Sequence, residues 1–171
     1  DGGGGQPAPQ HRAGAVLRPV PRRDLCNGLV LRSPTPAEYE ALAQLTVRMH
    51  CDHPSAPEEW LGHWTRDLLG GRHPTTGPGD FTVVVDESAG AVIVSSVVLV
   101  GQRWSYDGED VGCGRMELVA TEPEYRRRGL VRAQMEALHE RSVGRGDLMQ
   151  AITGVPWFYR QFGYEMALDL D

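Results

Sequence analysis

Between residues 81 and 121 the chain carries three β-branched-rich runs separated by turns of hairpin length, and no other feature restricts the possible folds as much. Residues 81–85 and 91–104 flank Asp86-Glu-Ser-Ala-Gly90, and a second turn over 106–110 leads into a third run at 111–121. Connections this short join antiparallel neighbours, so a meander is predicted. After Thr121 a charged turn leads to a helix-like stretch over 129–141 and then to a strand-like run, 148–153. Strand, helix and strand in that order make a parallel crossover. A meander joined to a crossover gives a mixed sheet flanked by helices.

Upstream, residues 28–33 read as a short first strand. Thr35-Pro36-Ala-Glu38 then opens a helix: Thr35 caps, Pro36 suits the first helical position and Glu38 completes a capping box. Tyr39, Leu42, Leu45 and Met49 continue it as an amphipathic stripe. A second helix is predicted from Pro57 to Leu69, with Trp60, Leu61, Trp64 and Leu68 on one stripe and Gly70-Gly71 ending it. Residues 72–80 read as a loop. Gly144 and Gly146 break the later helix, and a short helix near 156–161 and a last strand over 164–170 close the chain. The predicted order is β-α-α-β-β-β-α-β-α-β, an α/β fold with a mixed sheet. Residues 1–27, a Gly run followed by scattered Pro and Arg, are expected to form a flexible or loosely packed arm before a single domain over 28–171.

The formal net charge of −6 speaks against a general binder of nucleic acid or anionic membrane, which would carry a positive surplus. The longest apolar run, 91–100, is too short to span a bilayer. Cys26, Cys51 and Cys113 are odd in number and widely spaced, which suits free thiols in the cytoplasm better than a disulfide framework. His50-Cys51-x-His53 crowds its ligand types near a helix end and reads as surface or cap, so no metal is expected. No P-loop pattern is present, and Gly112-Cys-Gly114 lacks the rest of a dinucleotide fingerprint.

Against that acidic background, Glu122-Pro-Glu-Tyr-Arg-Arg-Arg-Gly-Leu-Val-Arg132 stands out. It sets Arg126, Arg127 and Arg128 at a predicted helix start, where the dipole makes each cation cost about 0.3–1 kcal/mol. Such a placement expects an anion. Free N–H groups at a helix start, with a glycine that permits close approach, form a phosphate nest.

The segment from Glu117 to Tyr164 resembles the GNAT superfamily of N-acetyltransferases. Its signature, [Gln/Arg]-x-x-Gly-x-[Gly/Ala], stands here as Arg126-Arg-Arg-Gly129-Leu-Val131, departing from the pattern at Val131. Ala120-Thr121-Glu122-Pro123 matches the common lead-in, and Trp157-Phe-Tyr-Arg-Gln-Phe-Gly-Tyr164 matches the late aromatic motif. The three arginines and the ending Tyr159-Arg-Gln-Phe-Gly-Tyr164 look most like the enhanced-intracellular-survival branch.

The resemblance implies an acyl-CoA N-acyltransferase fold and acetyl-CoA as co-substrate. It places pantetheine along the backbone of Val119, Ala120 and Thr121, and the pyrophosphate on the N–H groups of Arg127, Arg128, Gly129, Leu130, Val131 and Arg132. The side chains of Arg126, Arg127 and Arg128 would hold phosphate charge, and Gly154 is counted with the cofactor-binding residues. Tyr159 takes the position from which a phenol protonates the departing thiolate. Glu117, four residues before Thr121 and on the same face by strand alternation, is the candidate general base. The implied reaction is direct acetyl transfer to a small-molecule or peptide amine, with the acidic charge favouring a polyamine, aminoglycoside or basic peptide. A rival is a catalytically silent acyl-CoA-binding domain of a longer protein, since the family normally carries a further C-terminal strand.

Overall fold

The structure, a computed structural model, describes residues 18–51, 57–155 and 157–167. Its order is β1 (Arg23–Asp24), β2 (Leu29–Arg32), α1 (Tyr39–Met49), α2 (Glu59–Leu69), β3 (Phe81–Asp86), β4 (Val92–Tyr106), β5 (Glu109–Thr121), α3 (Leu130–Arg145) and β6 (Met149–Ile152). The strands lie side by side in chain order. Each neighbouring pair from β1 to β5 is antiparallel, and β5 pairs with β6 in parallel. The meander and the crossover predicted from the sequence are both present, joined through β5.

Helices cover both faces of the sheet, which is why β3 is buried along its whole length. On one face α1 and α2 bring Leu42, Leu45, Leu61 and Leu68 against Phe81, Val83, Val85, Val98, Val100, Leu118 and Ala120. On the other, α3 packs Leu130 and Ala137 against Leu31, Val84 and Val94, and Met135 and Leu138 against Val97, Leu99 and Met116. Apolar side chains alternating along each strand thus feed two separate cores.

Several boundaries differ from the sequence reading for identifiable reasons. The first helix opens with a 3-10 turn, Pro36–Glu38, in which Glu38 accepts from the Thr35 N–H at 2.7 Å and from its hydroxyl at 2.8 Å. Gly144 lies inside α3, which ends at Gly146 with φ of 83°, so a left-handed terminus stops this helix and an internal glycine does not. The short helix expected near 156–161 is a 3-10 turn over Tyr159–Phe162. Residues 164–167 of the expected last strand carry no strand pairing, and 168–170 lie outside the described residues. Part of the stretch expected as an arm joins the sheet: Val20 is buried, its N–H donates to Ser33 Oγ at 2.9 Å, and β1 pairs with β2. Residues 1–17 lie outside the described residues. Among the described residues no helix is long and apolar enough to cross a membrane.

Arg32 at the end of β2 pairs bidentately with Glu38 at 2.7 and 2.8 Å, pinning the start of α1 to the sheet. Arg32 and the Thr35 hydrogen bonds hold the Glu38 carboxyl at about 2 against an ordinary 4.5. A depressed carboxyl stabilises the fold above its unfolded pKa and loses that contribution as the pH falls through its folded value. Urea unfolding of Glu38→Gln should therefore show a loss of about 1–2 kcal/mol at pH 7. The difference between variant and wild type should shrink as the pH drops from about 4.5 towards 2.

Candidate functional site

The site begins with one extra residue. Between β4 and β5 the register passes from Ser96↔Ala120 to Val98↔Glu117, so β5 spends three steps where β4 spends two. Leu118 absorbs this β-bulge with φ of 53°, a left-handed conformation that a branched side chain adopts at a cost of about 1–2 kcal/mol. The parallel pairing of β5 with β6 ends at Met116↔Ile152. From Glu117 onward the β5 edge that faced β6 has no strand partner among the described residues, and a cleft of about 630 Å³ opens there.

The same bulge overturns the alternation argument for Glu117. Glu117 lies opposite Val98, on the face packed by α1 and α2. Thr121 lies opposite Ser95 on the α3 face, where its hydroxyl meets Ser95 Oγ at 2.8 Å and Ser95 Oγ meets Gln134 Oε1 at 2.7 Å. The two residues therefore project to opposite sides of the sheet.

Val119, Ala120, Thr121, Arg126, Arg127, Gly129, Leu130, Val131, Arg132 and Tyr159 all line the cleft, together with Met49, Tyr125, Phe158 and Phe162. The turn between β5 and α3 is a nest: Arg127 has φ of 62° and Gly129 φ of 75°, and no side chain caps the helix. The first hydrogen bond inside α3 runs from the Ala133 N–H to the Gly129 carbonyl at 3.1 Å. The N–H groups of Leu130, Val131 and Arg132 precede it and point out of the positive end of the helix dipole. A Cβ at Gly129 would meet nothing within 4 Å, so this glycine serves its positive φ and an open approach.

The arginines divide their duties. Arg126 donates to the Thr121 carbonyl at 3.2 Å while lining the cleft, and Arg132 reaches Gln161 Oε1 at 2.8 Å with its guanidinium 5.1 Å from the Phe162 ring. Arg128 is placed differently. It does not line the cleft; it donates to the Glu124 carbonyl at 2.8 Å and lies 4.7 Å over the Tyr125 ring. Gly154 does not line the cleft either. Its Cα faces Tyr159, and a Cβ there would come within 3.0 Å of Tyr159 Cε2, so the glycine makes room for that ring.

Glu117 sits just outside the cleft lining with its side chain 14% exposed, in an ion pair with Arg115. Burial pushes its carboxyl up; Arg115, the Thr153 hydroxyl and His50 pull partly the other way. Burial, and then the charge of Glu117, push the Tyr159 phenol up as well. His50 caps the end of α1, with Nδ1 2.9 Å from the Thr46 carbonyl, in line with the cap reading, and His53 lies outside the described residues. Trp60 and Trp64 stack at 6.4 Å, but only Trp64 packs on the core; Trp60 is 58% exposed.

Sequence reasoning missed the buried polar bracket beneath the cleft. Gln134, fully buried in α3, donates to the Thr82 carbonyl at 3.2 Å and accepts from Ser95, tying β3 and β4 to the helix that carries the nest. Nothing in the sequence pattern of α3 marks Gln134 as buried, because Ser142 and Gln134 share its inner face with Leu130, Met135 and Leu138.

The sequence pattern of the family described as "Acetyltransferase (GNAT) domain" matches residues 31–167. The chain belongs to that family. The GCN5-related N-acetyltransferase of Kribbella flavida is 26% identical with a TM-score of 0.63, over 80% of this chain and 33% of that one. Eis1 of Mycobacterium abscessus is 19% identical with a TM-score of 0.63, over 81% and 32%. This chain thus spans about a third of the length of each. AAC(6')-Iy in complex with the bisubstrate analog CoA-S-monomethyl-acetylneamine is 15% identical with a TM-score of 0.60, over 84% of this chain and 95% of that one. No curated protein sequence matches significantly.

Arg115 is the cation that most restrains the upward push on Glu117. In Arg115→Met, NMR titration of the Glu117 carboxyl should show a midpoint above that of the wild type. A midpoint that stays put or falls would mean that Arg115 does not govern this group.

Proposed function

We propose that this GNAT domain transfers an acetyl group from acetyl-CoA to an amine by direct attack, with no covalent enzyme intermediate. One observation carries the reading: a single cleft joins the unpaired edge of β5 at Val119–Thr121, the nest at Arg127–Arg132 and the Tyr159 phenol. An extended pantetheine arm suits a free strand edge, to which it adds like a further strand. A pyrophosphate suits the nest, since helix N–H groups and the dipole both favour an anion. Arg126, Arg127 and Arg132 supply the remaining positive charge around it.

In the proposed reaction the neutral amine attacks the thioester carbonyl, a C–N bond forms and the C–S bond breaks. The amine's proton goes to Glu117 through a water, because the carboxylate sits behind the cleft lining. Burial pushes its pKa up, which makes it a stronger base. The departing thiolate takes a proton from Tyr159. Thiols ionise near pH 8.5, so this step is worth less than positioning and oxyanion stabilisation.

The three-arginine turn and the ending Tyr159-Arg-Gln-Phe-Gly-Tyr164 support a place near the enhanced-intracellular-survival branch. The acidic charge and the AAC(6')-Iy complex make aminoglycosides and polyamines the first acceptors to try. The spacing and odd number of the cysteines support a cytoplasmic location. The rival, a silent acyl-CoA-binding domain, is separated by thiol release from acetyl-CoA across an amine panel. Binding without any amine-dependent release would favour the rival.

Two variants test the residue roles. Gly129→Glu meets open space but forces a side chain to positive φ and puts a negative charge in the nest. Calorimetry should find acetyl-CoA binding abolished, while Gly129→Asn, whose side chain tolerates that φ, keeps most of it. Unchanged affinity in Gly129→Glu would sink the nest assignment. Tyr159→Phe should lower kcat by about 10- to 100-fold with KM for acetyl-CoA little changed; an unaltered rate removes Tyr159 from the mechanism.

A further inference from the structure

We propose that Asp86 and Tyr125 form a brace that holds the anion-binding turn in its binding shape before the ligand arrives, and that this brace sets the affinity for acetyl-CoA. The ligand's identity rests on the acetyltransferase reading; the brace itself rests on geometry.

The turn needs such a support. Two of its residues, Arg127 and Gly129, have positive φ, and for the arginine that conformation is intrinsically unfavourable. Three neighbouring cations at the positive end of a helix repel one another and the dipole. A strained, like-charged segment relaxes unless its surroundings over-determine it. Part of the restraint is local. The Tyr125 N–H donates to the Glu122 carbonyl at 2.9 Å, and the Arg126 N–H to the Pro123 carbonyl at 3.3 Å.

The tie to the rest of the molecule comes from Asp86, at the end of β3. Asp86 is 7% exposed, and its carboxylate divides its oxygens between two tasks. Oδ1 accepts from the Ser88 N–H at 2.9 Å, the Ser88 hydroxyl at 2.6 Å and the Ala89 N–H at 3.1 Å, which fixes the β3–β4 turn. Oδ2 accepts from the Tyr125 hydroxyl at 2.8 Å. The Tyr125 ring in turn carries the Arg128 guanidinium, 4.7 Å from its centroid, and Arg128 is the arginine that does not line the cleft. A rigid hairpin turn is thereby linked through Asp86, Tyr125 and Arg128 to both sides of Arg126 and Arg127. Asp86 is a positioning residue, acting on the ligand through the backbone of the turn, and Tyr125, although it also lines the cleft, acts the same way through the hydroxyl it gives to Asp86.

Tyr125→Phe, Asp86→Asn and the double variant test this. Tyr125→Phe keeps the ring and leaves the β3–β4 turn intact, so it reports even if Asp86→Asn folds poorly. In ligand-free protein, amide hydrogen exchange over 126–132 should speed up in both single variants while the middle of α3 stays as protected as in the wild type. With Tyr125→Phe the Kd and KM for acetyl-CoA should rise about 5- to 10-fold, part of the effect of one charge-assisted hydrogen bond passed on to the turn, with kcat nearly constant. Asp86→Asn should move them in the same direction, and the double variant no further than Tyr125→Phe alone. The brace is overturned if exchange over 126–132 is unchanged, if the two penalties multiply, or if Asp86→Asn leaves affinity intact while Tyr125→Phe weakens it. That last result would mean that the phenol touches the ligand directly. A lowered melting temperature with unaltered KM also overturns it, leaving a merely structural bond. If the wild type itself binds no acetyl-CoA, the acetyltransferase reading falls while the exchange data still decide the brace.

Discussion

The structure depends on a single inserted residue in β5. The edge of β5 loses β6 after Met116, where β6 ends at Ile152, and the bulge at Leu118 follows two residues on, at the mouth of the cleft. Without the bulge, Thr121 would point to the α1 and α2 side, away from Ser95 and Gln134. The left-handed leucine is sustained by burial: Leu118 is 5% exposed and joins the core with Val98, Val100 and Ala120. Fully burying a leucine contributes about 1.5–3 kcal/mol, enough to exceed the conformational cost of about 1–2 kcal/mol. The fold tolerates a local backbone penalty because the side chain that incurs it is also a core residue.

Electrostatics at the turn follows the same logic of distributed support. On a molecule of net charge −6, a local group of cations is drawn to the rest of the protein as well as to any ligand. Arg126 and Arg128 spend hydrogen bonds on backbone carbonyls, and Arg132 on Gln161. Each of these acceptors is neutral, so none neutralises the charge it holds. Positioned but not neutralised, the cluster retains its attraction for a phosphate. A carboxylate partner in the same place would have cancelled it.

The layers of the fold were legible because they rest on local patterns. β-Branched-rich runs with five-residue turns define the meander, and the Thr35–Glu38 cap and Gly146 mark helix ends through their own chemistry. The nest at Gly129 could be read for the same reason. What could not be read depends on pairing between distant segments. The bulge is defined only by register with β4, so alternation misplaced Glu117 relative to Thr121. Arg128 looks identical to its neighbours in sequence and differs only in having Tyr125 beneath it. Gly154 carried a family expectation of cofactor contact, and only the fold reveals that a Cβ there would crowd the ring of Tyr159. Gln134 is an ordinary helix residue until Thr82 and Ser95 arrive from other strands.

The two groups proposed to move protons are coupled in a direction that suits the reaction. Both are pushed up mainly by burial, and the Tyr159 phenol is pushed further by the negative charge of Glu117. Before reaction the phenol is protonated, a state that burial and then that charge both favour. When Glu117 takes the amine's proton it becomes neutral, burial no longer opposes its state, and the charge that restrained Tyr159 disappears. The phenol then becomes a stronger acid at the stage when a thiolate departs. Arg115 sets how far this can go, because a guanidinium beside Glu117 makes the carboxylate easier to keep and its protonation less complete. An acid limb in the rate profile would therefore belong to Glu117, since the Tyr159 phenol, pushed above its ordinary range, stays protonated throughout it.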